Sequence, residues 1–341
     1  MSLKTLALVA PPIRRLWQDR ITLISERDAL AKANKELRLS LEAASNLKQN
    51  PFFHYHCSFD ALDVLKRHEQ ANLVADNAHV TNFLGVKVSP RFFPGILDGK
   101  GGTIEPPPIP ANWHADIAEW AAALRAVDLA EEKFRAVELG CGWGCWLNNT
   151  GVAARNRGLS VQLTGIEGDS GHVEFAKEAL ASNGFSSDNY RIIHGVAAPQ
   201  KGTALFPVVE NAGASWGSEP ILNATDLQIR EASASRQFEI LPALSLEEIA
   251  LGEPLDLLHI DIQGGEADYI DAAVQDINRY VRYIVIGTHS RQIEGRIMST
   301  LLANGWSLEM ERPAIIGIID GIPQIAVDGV QGWRASPAGR H

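Results

Sequence analysis

From residue 134 onward, short apolar runs alternate with amphipathic stretches. "FRAVEL" (134–139) and "VQLTGIEG" (161–168) read as strands, and "WLNNTGVAARNRG" (146–158) between them as a right-handed helical crossover. "GHVEFAKEALASNG" (171–184) is the next predicted helix, closed by Gly184 in the position that favours glycine. "YRIIHGVA" (190–197) is a third strand, "LDLLHIDI" (255–262) a fourth and "RYIVIGTH" (282–289) a fifth. The helices "EADYIDAAVQDI" (266–277) and "QIEGRIMSTLLANG" (292–305) follow the last two. "TALFPVV" (203–209) and "QFEILPALSL" (237–246) form an added pair around the loop 210–226, and "WSLEMER" (306–312) pairs antiparallel with "QIAVDG" (324–329). Strands in alternation with helices imply an α/β fold, a Rossmann-like and mostly parallel seven-stranded sheet with helices on both faces.

Upstream the pattern is different. Residues 13–48 lack Gly and Pro, and Leu16, Leu23, Leu30 and Leu37 recur every seven positions, the spacing of a coiled-coil seam. The companion positions Ile13, Arg20, Arg27, Asn34 and Leu41 include two charges, which weakens that seam. The segment is read equally as a dimerising or docking helix and as a solvated helix of the chain's own body. Pro51 ends it. Residues 52–93 mix short strand-like and helical patterns, and 94–112 is a Pro/Gly-rich linker expected to lie on the surface. "HADIAEWAAALRAV" (114–127) then places Ile117, Trp120, Ala121 and Leu124 on one helix face. The expected layout is an N-terminal helix (1–50), an accessory extension and linker (51–112), the α/β domain (113–334) and a tail (335–341).

Composition narrows the function. The chain has 341 residues, 45% of them hydrophobic, enough for a full core and a smaller module. Its 31 Lys and Arg face 41 Asp and Glu, so the net charge of −10 repels phosphate backbones and no nucleic-acid partner is expected. The first 50 residues carry nine Lys or Arg against five Asp or Glu, so the acidity belongs to the remainder. Three cysteines build no disulfide framework, and "LALVAPPI" (6–13) is too short to span a membrane; a cytoplasmic protein is expected.

The candidate chemistry centres on "VELGCGWGCW" (137–146), where Glu138 precedes Gly140, Gly142 and Gly144. Glycines between a strand and a helix admit positive φ and a close ligand, and the helix N-terminus beyond them suits a carboxylate or phosphate. A dinucleotide loop reads G-x-G-x-x-G; this one reads G-x-G-x-G, and Glu138 would repel a pyrophosphate. It suits a cation, and S-adenosylmethionine carries an ammonium and a sulfonium. Glu167, ending the second strand, is placed for ribose hydroxyls, and Gly195 and Val196 for the adenine. The expected cofactor contacts are Glu138, Gly140, Cys141, Gly142, Gly144, Glu167, Gly168, Gly195, Val196 and Asp261.

The order "VELGCGWG", "GIEGD", "IHGVAAPQKGTALF", "LPALSLEEIA", "LDLLHIDIQGGEADYI" and "YIVIGTHS", spanning about residues 134–334, resembles the FkbM family of S-adenosylmethionine-dependent O-methyltransferases. The resemblance implies a class I methyltransferase fold and methyl transfer to a hydroxyl of a sugar, glycan or natural product. Where that family reads Asp-x-Glu-Gly-x-Glu, this chain has Asp261, Gln263, Gly264 and Glu266.

Asp261 and His289 end neighbouring strands, so both are expected over one crevice. His289 is assigned as general base, Asp261 as its orienting charge and Glu266 as a binder of substrate hydroxyls. A divalent metal on Asp261, Glu266 and His289 ranks second, and no metal is assigned. His54, His56 and Cys57 in "FHYHC" alternate in direction and read as structural or as part of a lid, not as a zinc cluster. Cys141 and Cys145 are expected to pack; His114 and Asp116 precede the helix before the first strand, an entry that could close over the cofactor, with an N-terminal helix cap the plainer explanation. Two rival functions stand beside the transferase: a nicotinamide-dependent oxidoreductase on a similar sheet, and a non-catalytic scaffold in glycan assembly.

Overall fold

The computed structural model describes residues 19, 20, 22–30, 32–35 and 50–336. Its contacts separate a first unit ending at Phe53 from a second beginning at His54. In the first, the described residues between 19 and 35 are helical. Leu23 and Leu30 of the heptad row are 64% and 67% exposed, whereas Leu16 and Leu37 lie outside the described residues.

The second unit opens with β1 (His56–Cys57), α1 (Ala61–His68), β2 (Val80–Thr81), β3 (Lys87–Val88) and α2 (Ile117–Leu129). Then come β4 (Lys133–Leu139), α3 (Cys145–Asn156), β5 (Ser160–Glu167), α4 (Ser170–Ser182) and β6 (Tyr190–His194). A side module follows: β7 (Val196–Ala197), β8 (Gly202–Pro207), β9 (Ile221–Leu222), α5 (Asp226–Ser235), β10 (Phe238–Leu244) and α6 (Leu246–Ala250). The chain closes with β11 (Leu257–Ile260), α7 (Glu266–Tyr280), β12 (Tyr283–Thr288), α8 (Arg291–Ala303), β13 (Ser307–Arg312), β14 (Ile315–Ile319), β15 (Ile322–Val327) and β16 (Gly329–Arg334).

The main sheet runs β1-β13-β16-β12-β11-β4-β5-β6. Strands β6, β5, β4, β11 and β12 are mutually parallel, and β16 lies antiparallel between β12 and β13. This is the expected Rossmann-like sheet with one strand more, because His56 and Cys57 of "FHYHC" pair with Glu311 and Met310 at its edge. Every residue of β11 and β12 is buried, as strands covered on both faces require.

Two expectations about strands need correction. "YRIIHGVA" is two strands. Tyr190–His194 stays in the main sheet while Val196–Ala197 turns into a second sheet of order β7-β10-β8-β9. Gly195 permits the turn, since a Cβ there would meet the Pro242 carbonyl at 3.0 Å. "WSLEMER" pairs with β16 rather than with "QIAVDG", which instead forms a separate hairpin with β14. The glycines of "GVQGWR" hid β16. Gly332 is nonetheless demanded by packing, its Cβ position lying about 3 Å from Ala122, Met310 and Tyr283. The linker 94–112 is mostly on the surface as expected, but Leu97 is wholly buried and pins it to the body.

Helix α2 is anchored at its start by Asp116. One carboxylate oxygen accepts the Ala118 N–H at 2.8 Å and the other pairs with Arg312 of β13; both side chains are almost fully buried. Removing one member of a buried pair strands the other charge. Asp116→Ala is expected to lower the unfolding free energy by about 3–5 kcal/mol, read as a reduced urea midpoint at unchanged slope.

Candidate functional site

The chain runs from β4 outward through β5 and β6, then returns to β11 and β12 on the other side of β4. That reversal opens a crevice beyond the carboxyl ends of β4 and β11. A cavity of about 700 Å³ occupies it.

Glu138 lies at its floor, 3% exposed. Its carboxylate accepts the N–H groups of Trp146 at 3.2 Å and Leu147 at 3.0 Å, thereby satisfying two unpaired donors of the first turn of α3. Burial pushes its pKa well up, against those two hydrogen bonds. The chain between turns tightly through Gly140, Gly142 and Gly144, with φ of 72°, 53° and 74°. At Gly140 a Cβ would stand 2.0 Å from the Asp261 carbonyl oxygen, so β4 and β11 approach as closely here as bare backbone permits. Glu167, at the end of β5, accepts from Gly142 N at 2.7 Å and from Asp169 N at 2.8 Å. It holds the loop from the opposite side. Gly168 makes room for Phe206 of the side module, whose ring would lie 2.3 Å from a Cβ. All ten residues expected to touch the cofactor except Gly144 line the cavity; Gly144 packs behind it against Asn148 and Ala176.

The proposed catalytic residues divide differently. Asp261 lines the cavity with 43% of its side chain exposed. Burial of its inner side pushes its pKa up, an effect its open face moderates. Gln263, in a left-handed conformation at φ 58°, donates to it at 3.1 Å. Glu266 is 0% exposed and is absent from the cavity wall; it accepts the N–H groups of Ile262 and Gly264 at 3.1 and 3.0 Å. It therefore holds the turn and cannot bind substrate hydroxyls, a correction to the sequence reading. His289 also stands behind the wall, Nε2 3.5 Å from Asp261 and Nδ1 3.0 Å from Glu266. Burial opposes its charge, but Glu266 and Asp261 outweigh that and push its pKa up to about 9. Because it is held between those two carboxylates and does not line the cavity, His289 is placed to support Asp261 from behind rather than to meet a substrate itself.

Sequence reasoning missed three contributors, His259, Glu119 and Trp216. His259 and Asp261 are two apart at the end of β11, and period-two alternation is the signal that both face the same side. The Nε2 of His259 lies 3.1 Å from Glu119 of α2. Burial drives Glu119 up to about 8 and His259 down to about 4, so the two share a hydrogen bond as a neutral pair. Trp216 stacks between Phe93 and His172, with centroids at 4.7 and 4.0 Å, and covers Gly142 from above. A lone tryptophan in a Gly- and Ser-rich loop was its only sequence signal. His114 contacts Cys145 and lines the cavity; Asp116 is the cap described above. Burial raises the thiol pKa of Cys141 and Cys145, as packing cysteines require.

The cavity's electrostatics follow from this wall. Seven carboxylic side chains, Glu119, Glu138, Glu167, Asp169, Glu219, Asp261 and Asp268, line it, and no lysine or arginine does among the described residues. Such a site is poor for a pyrophosphate or a nucleic-acid backbone and good for a cationic ligand. Among the described residues the one group of three metal-capable side chains is Asp261, Glu266 and His289; His54, His56 and Cys57 form none.

No family model matches the chain. It is 46% identical over 271 residues to a protein of Jannaschia sp. (strain CCS1) named "Putative methyltransferase", covering 80% of this chain and 97% of that one. Among solved structures it is similar to precorrin-6Y C5,15-methyltransferase from Geobacter metallireducens GS-15, at TM-score 0.38 and 10% identity over 65% of this chain and 89% of that one. The C-terminal domain of the Rhodobacter capsulatus precorrin-6Y C5,15-methyltransferase gives TM-score 0.35 and 12% identity, over 66% and 91%.

The contact of Gly140 with Asp261 is directly testable. Gly140→Ala adds a Cβ both to a left-handed residue and to a gap that holds none, and is expected to cost about 2–4 kcal/mol of stability. Gly305→Ala, also left-handed but with open space around it, should cost only the conformational part, of about 1 kcal/mol. Equal losses on denaturant unfolding would show that the close approach carries no energy.

Proposed function

The chain belongs to the methyltransferase family of its Jannaschia relative, and on that premise we propose that it transfers a methyl group from S-adenosylmethionine to a hydroxyl of a sugar, glycan or related natural product. The observation that carries the donor is the acidic cavity wall around a tight glycine turn, in which Gly140 and Gly142 line the cavity in left-handed conformations.

The residues present fit that donor. The loop from Gly140 to Gly144 and the amino end of α3 would receive its carboxylate, with Glu138 beneath facing its ammonium, whose positive charge would favour the ionised carboxylate against the burial that raises its pKa. Glu167 has two lone-pair positions left beyond its bonds to Gly142 and Asp169, enough for two ribose hydroxyls. Gly195 and Val196 line the wall where the base would lie. Bound there, S-adenosylmethionine supplies a methyl group on a positively charged sulfur, open to in-line attack by oxygen. The chain's remaining task is to position that oxygen and receive its proton. Asp261 is the carboxylate of the candidate catalytic group that faces the cavity, and it accepts the hydroxyl's hydrogen bond and then its proton. His289, fixed behind it, stabilises the charge and orientation of that carboxylate.

The acceptor class rests on the FkbM-like motif order. Two features of the wall support it. Trp216, clamped between Phe93 and His172, lines the mouth as an aromatic group 40% exposed, and Gln263 and Asp268 offer hydrogen bonds, a mixture of apolar and polar contacts that a polyhydroxylated ring can use.

Equilibrium titration separates this reading from a nicotinamide enzyme: S-adenosylhomocysteine is expected to bind, and NAD to bind far more weakly. A preference for NAD defeats the donor assignment. Glu167→Ala is expected to weaken S-adenosylhomocysteine by roughly tenfold or more, the loss of hydrogen bonds to a charged acceptor. Asp261→Asn should lower kcat with little change in that affinity, read by mass spectrometry of methylated acceptor; an unchanged kcat would remove Asp261 from the chemistry.

A further inference from the structure

We propose that Asp261, Glu266 and His289 form a binding site for one divalent cation of the manganese or iron(II) type at the edge of the cavity. The three side chains come from the end of β11, the start of α7 and the end of β12, and their ligand atoms all lie within 4.8 Å of one another. Donor atoms sharing one first-row ion at about 2.1 Å stand no more than about 4.2 Å apart, so small side-chain movements suffice to close the set.

Two observations point to a cation-binding role rather than to a network of hydrogen bonds. His289 approaches Glu266 at 3.0 Å and Asp261 at 3.5 Å, yet its Nδ1 has no aligned hydrogen-bond partner. Glu266 is fully buried, and its Oε2 also has no partner. Leaving a buried carboxylate oxygen and a buried imidazole nitrogen of one residue cluster unsatisfied is costly, and a cation held by the two side chains offsets that cost. The local backbone is built to hold this arrangement. Gln263 takes a left-handed conformation unfavourable for a side-chain-bearing residue, and Gly264 follows at φ 100°, so that the turn delivers Asp261 and Glu266 to the same place.

Two carboxylate oxygens and one imidazole nitrogen form a mixed donor set, harder than a zinc–thiolate site and softer than an all-oxygen magnesium site. Binding the ion displaces the imidazole proton to solvent, after which the three groups carry two negative charges, matching a divalent ion. Asp261 gives one oxygen to the ion and keeps the other on the cavity side, so the ion stands next to the place where an acceptor oxygen would lie. There it would lower the pKa of a bound hydroxyl and help Asp261 to receive the proton. Only this last role rests on the transferase reading; the binding site itself does not.

The test uses the full-length chain stripped with EDTA and titrated with Mn2+ by calorimetry and by electron paramagnetic resonance of the free ion. One Mn2+ per chain is expected, weakened by at least about tenfold in Asp261→Asn and His289→Ala. Glu266→Gln keeps an oxygen for the Ile262 and Gly264 N–H groups, so its circular dichroism should match the parent while Mn2+ binding falls. Absence of saturable binding at millimolar Mn2+, or binding unchanged in all three variants, overturns the site. S-adenosylhomocysteine is titrated in parallel with the stripped chain. Its binding without Mn2+ binding defeats the cation site alone, and Mn2+ binding without it supports the cation site while removing the methyl donor.

Discussion

The site depends on a carboxylate placed where two backbone amides would otherwise be buried without partners. Glu138 sits on the strand and accepts from Trp146 and Leu147 on the helix, so that strand, turn and helix form one rigid unit. A helix N-terminus buried without partners would be costly, and a neutral side chain would satisfy it less well. Because the same carboxylate lines the cavity, the group that stabilises the turn also sets its charge. Glu167 repeats the arrangement from β5 by holding Gly142. The glycine loop is thus held between two acids.

Around this core the charge of the chain is unevenly used. The net charge of −10 is a property of the whole sequence, but the cavity concentrates it, with acids and, among the described residues, no lysine or arginine on the wall. Burial limits the cost. Burial favours the neutral forms of Glu119 and His259, so not every acid contributes a full charge. The result favours a ligand that brings positive charge, consistent with the family to which the chain belongs.

The candidate catalytic groups form a series in depth. Asp261 faces the cavity, His289 stands behind it, and Glu266 is deepest, bonded to the turn that carries Asp261. A side chain's distance from the cavity, rather than its chemical type, decides which of the three can meet a substrate. The side module completes the site from above. Gly168 admits Phe206, and the loop before β9 brings Trp216 over Gly142, where Phe93 and His172 clamp it.

The sequence by itself determined the alternating core from β4 to β12, because buried parallel strands are continuous apolar runs and glycine turns have few physical explanations. It also located the acids at the strand ends, since strand length fixes where a strand stops. Tertiary structure decided what depends on neighbours distant in the chain. The pairing of β13 with β16, the eighth strand from His56 and Cys57, and the diversion of Val196 into a second sheet all turn on close packing that local pattern does not record. The same holds for the chemistry. Residue types near a strand end name candidates, but whether Glu266 meets solvent or a backbone amide, and whether His289 lies free or between two carboxylates, is set by how β11, α7 and β12 pack together.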